Sequence, residues 1–240
     1  MNTQYRGKRS AAAAKRFHAC LCAGAAMLLV LALTGCAPKS FVSDFGERSG
    51  KIKTIAILEP KIDVLEIHFG GATEKQDDWS EQAARNIVDA VTTQLSARGF
   101  AVKLIPREGK DQEAIEEISD LFSAIAWSYR EHVVTERSTW AFPEKVASFE
   151  YSIGPLNDLL DANKADAAFL ILGFGKRGGS ASIQRGSVVY LALAERSGSL
   201  LWLGRFAKPA SIYYKWDIAV PGDAAVIVSN LFLDMPKVTQ

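Results

Sequence analysis

The amino-terminal segment most strongly constrains this chain of 240 residues, because it decides in which compartment the rest folds. The first 18 positions contain no acidic residue and five basic ones, namely Arg6, Lys8, Arg9, Lys15 and Arg16. An uncharged, largely apolar run from Ala19 to Gly35 follows them. Basic residues followed by such a run are the pattern of a secretory signal. We therefore predict that residues 1–35 are a signal peptide and that the mature chain folds outside the cytoplasm.

The apolar run ends in Leu33-Thr34-Gly35-Cys36, which resembles the lipobox of bacterial lipoproteins. The resemblance implies cleavage before Cys36, lipidation of that residue and a membrane anchor. Because Ala37 stands where that family's inner-membrane retention signal has Asp, it also implies the periplasmic face of the outer membrane. The alternative is an uncleaved transmembrane anchor, since a spanning helix needs roughly 20 apolar residues and the run is nearly that long. The small residues before Cys36 favour cleavage.

The cysteine and charge counts limit which bonds and partners the mature chain can have. Cys20 and Cys22 lie within the predicted signal, so acylation of Cys36 would leave no thiol for an internal disulfide. Removing residues 1–35 takes away five of the 28 basic residues and none of the 27 acidic ones, which leaves a net charge of −4. A balance of that sign does not indicate nucleic-acid binding. Residues 36–50 are predicted to be the lipidated cysteine and a tether, and residues 51–240 a single periplasmic domain.

Hydrophobic periodicity predicts an α/β (α+β) fold with a mixed β-sheet of about five or six strands flanked by helices. Strands are expected at 51–60, 100–105, 167–174, 187–196 and 200–206, with 64–69 as a short hairpin partner of the first. Helices are expected at about 78–98, 112–129, 155–163 and from 221 onward. Residues 132–151 have no clean periodicity and are predicted to form an irregular excursion.

Three glycines in residues 170–180, LILGFGKRGGS, have the G-x-G-x-x-G spacing of a dinucleotide-binding loop: Gly173, Gly175 and Gly178. Such a loop turns a strand into a helix whose amino terminus meets the phosphates. Here the following residues favour another strand, and the acidic residue at the expected interval, Glu195, precedes a hairpin turn. We interpret residues 175–179 as the turn between two antiparallel strands, with Lys176 and Arg177 solvated. We predict no nucleotide cofactor.

Residue types that carry catalysis are sparse in the mature sequence. Its two histidines, His68 and His132, lack H-x-x-x-H spacing, so we predict no metal site. The acid pairs Asp77-Asp78 and Glu116-Glu117 are interpreted as helix-capping and solvated groups. The G-x-S-x-G motif is absent, and we predict no catalytic residue. The five tryptophans either stack on a sugar or pack in the core, which the sequence leaves open: Trp79, Trp127, Trp140, Trp202 and Trp216.

Four segments together resemble the group of bacterial periplasmic lipoproteins that includes CsgG, the TolB amino-terminal domain and LpoB. They are IAILEP, LSARGFAVKLIP, ADAAFLILGFG and VYLALAERSGSLLWLGRF, and they extend the resemblance over residues 51–234. The resemblance implies a mixed sheet flanked by helices and a role in envelope assembly through protein contacts.

The leading hypothesis from the sequence is a non-enzymatic, lipid-anchored accessory or assembly factor in secretion, polysaccharide export or cell-wall synthesis. The expected partners are the membrane, envelope proteins and a second copy of the chain, with no nucleic acid. Two alternatives stay open: a ligand-binding lipoprotein with an apolar cavity, and a periplasmic hydrolase with clustered polar groups. Trp140, Phe142 and Phe149 either contact a partner or cap the domain's own core.

Overall fold

A computed structural model describes residues 40–134, 148–178, 186–208 and 216–237, all within one structural unit. The predicted signal peptide, Cys36, Trp140 and Phe142 lie outside the described residues. Within these ranges the α-helices are α1 (Phe45–Ser49), α2 (Asp77–Ala97), α3 (Gln112–Tyr129), α4 (Asn157–Ala162) and α5 (Pro221–Asp234). The seven strands are β1 (Thr54–Leu58), β2 (Lys61–Ile67), β3 (Thr73–Lys75), β4 (Ala101–Ile105), β5 (Ala167–Gly178), β6 (Gly186–Glu195) and β7 (Leu200–Lys208). The predicted class, a mixed sheet flanked by helices, is confirmed.

Strand β5 is the centre of the sheet. On one side it pairs along most of its length with antiparallel β6, which in turn pairs with antiparallel β7. On its other side two parallel strands follow one another, β1 beside the first residues of β5 and β2 beside its second half. The crossover through α2 places β4 parallel to β1, and β3 pairs antiparallel with β2.

The position of β2 corrects one expectation from the sequence. Residues 64–69 were expected to form a hairpin partner of β1, but the chain does not reverse at Pro60. Instead, Ile57 is paired with Phe169 and Lys61 with Leu172, so β2 continues in the direction of β1 along the same edge of β5. Between these two pairs the chain advances four residues along this edge but only three along β5. This edge therefore has one extra residue, as in a β-bulge.

Both faces of β5 are covered, which explains its nearly continuous apolar sequence. On one face Phe169 packs against Phe232 of α5 and Trp202 of β7, with ring centroids 5.9 and 6.2 Å apart. On the other face Phe174 lies 6.2 Å from Trp127 of α3. Helix α2 packs beside α5 and buries Ile87, Val91 and Leu95, the stripe predicted from their spacing.

The fold begins within the predicted tether. The Leu203 amide donates to the Ser40 carbonyl over 2.8 Å, and the Val42 amide donates to the Leu201 carbonyl over 3.0 Å, so residues 40–42 pair with the outer edge of β7. Phe45 of α1 is buried in the core. This segment covers part of a strand edge that would otherwise expose unpaired backbone groups. Residues 40–50 therefore belong to the domain.

The described residues include no helix with both the length and the apolar character needed to span a bilayer.

Candidate functional site

The glycine-rich stretch has no geometry for a nucleotide. Strand β5 continues through Gly178, and the next described element is antiparallel strand β6 rather than a helix. The two antiparallel strands were predicted correctly, but the turn was placed too early, because Gly175 lies inside β5. A Cβ atom on Gly173 or Gly175 would lie 3.1 or 3.2 Å from the side chains of Ile62 and Val64. These two glycines therefore make room for the side chains of β2.

Arg177 is only partly exposed to solvent, whereas the sequence analysis expected a solvated side chain. Its Nε donates to Oδ2 of Asp217 over 2.6 Å, and its guanidinium lies 4.6 Å from the ring centroid of Trp79 on α2. Asp217 is only 3% exposed. A buried carboxylate needs both a counter-charge and hydrogen bonds, and the amide of Ala219 supplies one to Oδ1 at 3.0 Å. The sequence carried no signal for this pair, because 40 positions separate its members.

Two further buried polar side chains bind the same loop before α5. The Ser187 hydroxyl donates to the Trp216 carbonyl over 2.9 Å and accepts from the Ile218 amide over 3.3 Å. Asn86 donates from Nδ2 to the Ile218 carbonyl over 3.1 Å. Ser187 is the second residue of β6, and Asn86 lies on α2. These hydrogen bonds hold residues 216–219 against the sheet and α2. Ser187 and Asn86 therefore stabilise the fold.

Glu195 forms an ion pair that holds two elements of the fold together. Arg48 of α1 donates from Nε and Nη2 to its two carboxylate oxygens, the first at 3.1 Å. These hydrogen bonds lower the pKa of Glu195 below its ordinary value and raise that of Arg48. The pair joins α1 to the end of β6 in the bidentate arrangement that favours arginine over lysine.

The remaining candidate acids and histidines are dispersed. Asp77 begins α2 with an 85% exposed side chain near Lys75, and Glu116 on α3 accepts from Gln112 over 3.0 Å. His68 contacts Glu74 across the β2–β3 hairpin at 3.2 Å, whereas His132 follows the end of α3. In the part of the chain that the structure describes, no three His, Cys, Asp or Glu side chains are grouped as metal ligands.

An open cavity of about 340 Å³ lies between α3 and residues 148–152. Leu121, Ile125 and Ser128 form one wall, and residues 150–152 form part of the other. Leu121 remains 43% exposed, and Trp127 on the same helix is 48% exposed. We call Leu121 and the cavity that it lines the α3 surface.

Phe149, which precedes that cavity wall, is buried with its ring 5.2 Å from Tyr151. Tyr151 lies edge-on to Tyr129 at 6.2 Å, and burial raises the pKa of Tyr129 to about 12. Phe149 therefore caps the domain's own core rather than presenting itself to a partner. Trp140 and Phe142, for which the same two roles were predicted, lie outside the described ranges.

A second open cavity of about 340 Å³ follows the edge of β7 beyond the residues paired with 40–42. Residues 205–207 of β7 form one side, and Asn230, Leu231, Leu233 and Asp234 of α5 form the other. Leu233 is 79% exposed, and Val226, two turns earlier on the same flank of α5, is also exposed. We call Val226, Asn230 and Leu233 the α5 flank.

The four described tryptophans line neither of these two cavities. Trp202 is in the core, Trp79 lies under Arg177, and Trp216 packs edge-on against Phe206 at 5.5 Å. The structure thus defines a mixed α/β domain whose described charged clusters hold the fold together and whose apolar surface features are open grooves.

Comparison with known proteins gives similarity in fold only. No protein-family model matches the chain, and no curated protein matches its sequence. The PelC dodecamer from Paraburkholderia phytofirmans is 8% identical with a TM-score of 0.37, over 82% of this chain and 93% of that one. Lipoprotein GNA1162 from Neisseria meningitidis is 12% identical with a TM-score of 0.34, over 76% of this chain and 97% of that one. Likeness at these values transfers neither activity nor partner.

Proposed function

We propose that this chain is a lipid-anchored accessory protein of the bacterial envelope that acts through protein contacts rather than catalysis. The observation that carries the proposal is the short distance, in residues, from Cys36 to the fold. Only three residues separate Cys36 from Ser40, whose carbonyl is bonded to Leu203. Because an extended chain spans at most about 3.6 Å per residue, an acylated Cys36 would hold the β7 edge within roughly 14 Å of the lipid.

The described charged residues support a role other than catalysis. A catalytic acid or base must reach a substrate, whereas Asp217 is buried against Arg177, and Glu195 is held by Arg48. These carboxylates are committed to bonds that fix loops and helices. A protein of this kind contributes a rigid, membrane-held surface to an envelope complex, at the outer membrane as the residue after Cys36 implies. We place it in one of three pathways: secretion, polysaccharide export or cell-wall synthesis.

The α3 surface is the part of the domain that we assign to protein contact. Leu121 is a large apolar side chain that stays partly in water in the wall of a cavity of about 340 Å³. Large exposed apolar groups next to a concavity are typical of interaction sites. The partner that fits is an envelope protein, or a second copy of this chain, that inserts an apolar side chain there.

A ligand-binding lipoprotein is the second candidate function, favoured by the same cavity. Its volume of about 340 Å³ lies at the lower end of the range for small-molecule sites. Mass spectrometry of the protein purified under native conditions separates the two candidates. A stoichiometric small molecule would favour the ligand-binding function.

The anchor is tested by metabolic labelling with palmitate in the native bacterium. Cys36→Ser should abolish labelling, because the acylated atoms are those of Cys36. Cys20→Ser is the matched control, since Cys20 lies in the predicted signal, and it should leave labelling intact. Persistent labelling of the Cys36→Ser protein would refute the anchor.

The role in a complex is tested by crosslinked capture of the tagged, lipidated protein from membranes. Recovery of one envelope system by the wild type and its loss from Cys36→Ser would support the proposal. Sedimentation of the mature protein with inner-membrane markers on a density gradient would refute the outer-membrane assignment.

A further inference from the structure

We infer that the α5 flank is the surface with which the anchored domain rests on the bilayer, with Leu233 inserted at the lipid interface. The inference rests on the proposed anchor at Cys36 and adds an orientation to it. The anchor would hold Ser40, where the amino-terminal chain joins the fold, near the lipid.

The connection from the anchor to α5 is short at each step. Ser40 is bonded to Leu203, and the next residue, Gly204, lies directly under α5. A Cβ on Gly204 would be 3.2 Å from Cδ2 of Leu231. Leu231 also belongs to the wall of the groove whose rim carries Leu233. Thus the attachment point and the α5 flank share one edge of the sheet.

The reach of the tether agrees with this arrangement. Residues 40–42 run antiparallel to β7, so Ser40 is the member of this segment nearest to Arg205 and Ala207. Ala207 lies four residues beyond Leu203, about 13 Å along a strand. The four steps from Ser40 to Cys36 span at most roughly 14 Å. The chain from Ser40 to Cys36 is therefore long enough for the acyl chains to lie beside the groove between β7 and α5.

The chemistry of the flank suits a lipid interface. Leu233 and Val226 are exposed apolar side chains seven residues apart, so they lie on one side of the helix with Asn230 between them.

Phe41, also exposed, pairs with Trp202 across the β7 edge. Directly opposed residues in an antiparallel pair project from the same face of a sheet, and Trp202 packs on Phe232 of α5. Phe41 therefore lies on the face that α5 covers.

The groove between β7 and α5 also carries polar groups suited to the headgroup layer. Its walls include Asn230, the acidic Asp234 and Arg205, whose Nε donates to the Tyr190 hydroxyl over 3.2 Å, and Lys237 is exposed just beyond the end of α5. Cationic and amide groups beside apolar side chains match the boundary between phosphate headgroups and acyl chains. The occupant that fits the flank is the surface of the membrane in which Cys36 is anchored.

The test uses the lipidated, full-length mature protein in vesicles of phosphatidylethanolamine with a minor fraction of phosphatidylglycerol. If Cys36 is acylated, a cysteine introduced by Leu233→Cys is the one free thiol, and it is labelled with a polarity-sensitive fluorophore. Glu117→Cys on the exposed face of α3 is the control. Spin-labelled lipids serve as quenchers.

We expect a blue-shifted emission and several-fold stronger quenching by the lipid probe at position 233 than at position 117. Val226→Cys should behave like Leu233→Cys. Equal quenching at 233 and 117 in protein that incorporates palmitate would overturn the orientation and leave the anchor standing. Protein that incorporates no palmitate would remove the anchor and the orientation together. Quenching between labelled protein copies, without quenching by lipid, would assign the flank to a dimer and also overturn the inference.

Discussion

Arg177 and Asp217 join the end of the central strand to the loop before the last helix through one bond of 2.6 Å, in a setting where the carboxylate is almost completely buried. The same arginine stacks on Trp79, so a single side chain connects β5, α2 and the loop that leads into α5. The groove between β7 and α5 depends on the helix that this chain of contacts positions.

We expect Asp217→Ala to lower the free energy of unfolding by about 3 kcal/mol, because removing one partner leaves the other charge without compensation. The loop would also lose the hydrogen bond between the Asp217 carboxylate and the Ala219 amide. The measurement is denaturant unfolding of the non-acylated mature chain. Asp77→Ala, at an exposed position, is the control and should change stability by less than about 0.5 kcal/mol. Equal effects of the two substitutions would contradict the role assigned to Asp217.

We expect Gly175→Ala to destabilise the domain by about 1 kcal/mol through crowding. The added Cβ would lie 3.2 Å from Val64 and 3.4 Å from Ile218, and Gly175 has no positive φ to supply another cause. Gly186→Ala is the control, because a Cβ there meets nothing within 4 Å. Val64→Ala should relieve part of the cost in the double variant. Binding of a dinucleotide at micromolar concentration by the parent protein would refute our interpretation of these glycines.

The Arg48–Glu195 pair should make a pH-dependent contribution to stability. The pKa of Glu195 is lower in the folded protein than its ordinary value, because Arg48 binds the charged form. The pair therefore stabilises the fold above the unfolded pKa, about 4.3, and loses its effect as the pH falls through the lowered value. We expect Glu195→Gln to cost about 1 kcal/mol at neutral pH and progressively less below about pH 4.

Thermal melting across a pH series measures this difference. Glu47→Gln is the control, since Glu47 is 78% exposed and lies 3.8 Å from Lys51. A cost of Glu195→Gln that stayed constant down to acid pH would show that the ion pair is not its source.

The α3 surface is tested by Leu121→Ser in the full-length protein. We expect reduced capture of the partner with an unchanged melting temperature, because Leu121 is partly exposed at a groove. Phe149→Ser is the contrasting variant, and it should destabilise the fold by about 3 kcal/mol because its ring is buried. Glu117→Ser controls for any change on the exposed side of α3. Unaltered capture by Leu121→Ser would remove α3 from the interface.

The same assay extends to Trp140→Ser and Phe142→Ser, for which the two roles remain open. Lost capture with unchanged melting would place these residues in the contact. Lost stability with unchanged capture would place them in the core with Phe149.

Local sequence patterns predicted the parts of the fold that depend on local spacing. Helix α3 occupies Gln112–Tyr129 as expected, because Ile115, Ile118 and Phe122 form one buried stripe. The β6–β7 hairpin also follows from its turn sequence, and Gly198 has the positive φ of 82° that such a turn uses.

Pairing between distant segments could not be predicted in this way. The partner of β2 is 111 positions away at Lys61 and Leu172, and no local pattern distinguishes a parallel neighbour from a hairpin. Residues 40–45 likewise show their role only beside β7, because three apolar residues at irregular spacing have no periodicity. The contacts of Arg177 were missed for the same reason, since a charged residue beside glycines resembles a solvated turn.

The bulge between β1 and β2 determines which kinds of change in chain length the domain can accept. Ile55 and Ile57 share a face of the sheet with Ala167 and Phe169, while Ile62 and Val64 share that face with Gly173 and Gly175. Odd positions face α2 and α5 before the bulge, and even positions face them after it. Loss of Glu59 or Pro60 would leave three residues against three on β5, so the bulge would disappear while Lys61 stayed opposite Leu172 and Val64 kept its present face. Single-residue deletions in this turn should therefore be tolerated in homologues more often than single-residue deletions inside β2, which would move Lys61 or Asp63 to the face that α2 and α5 cover.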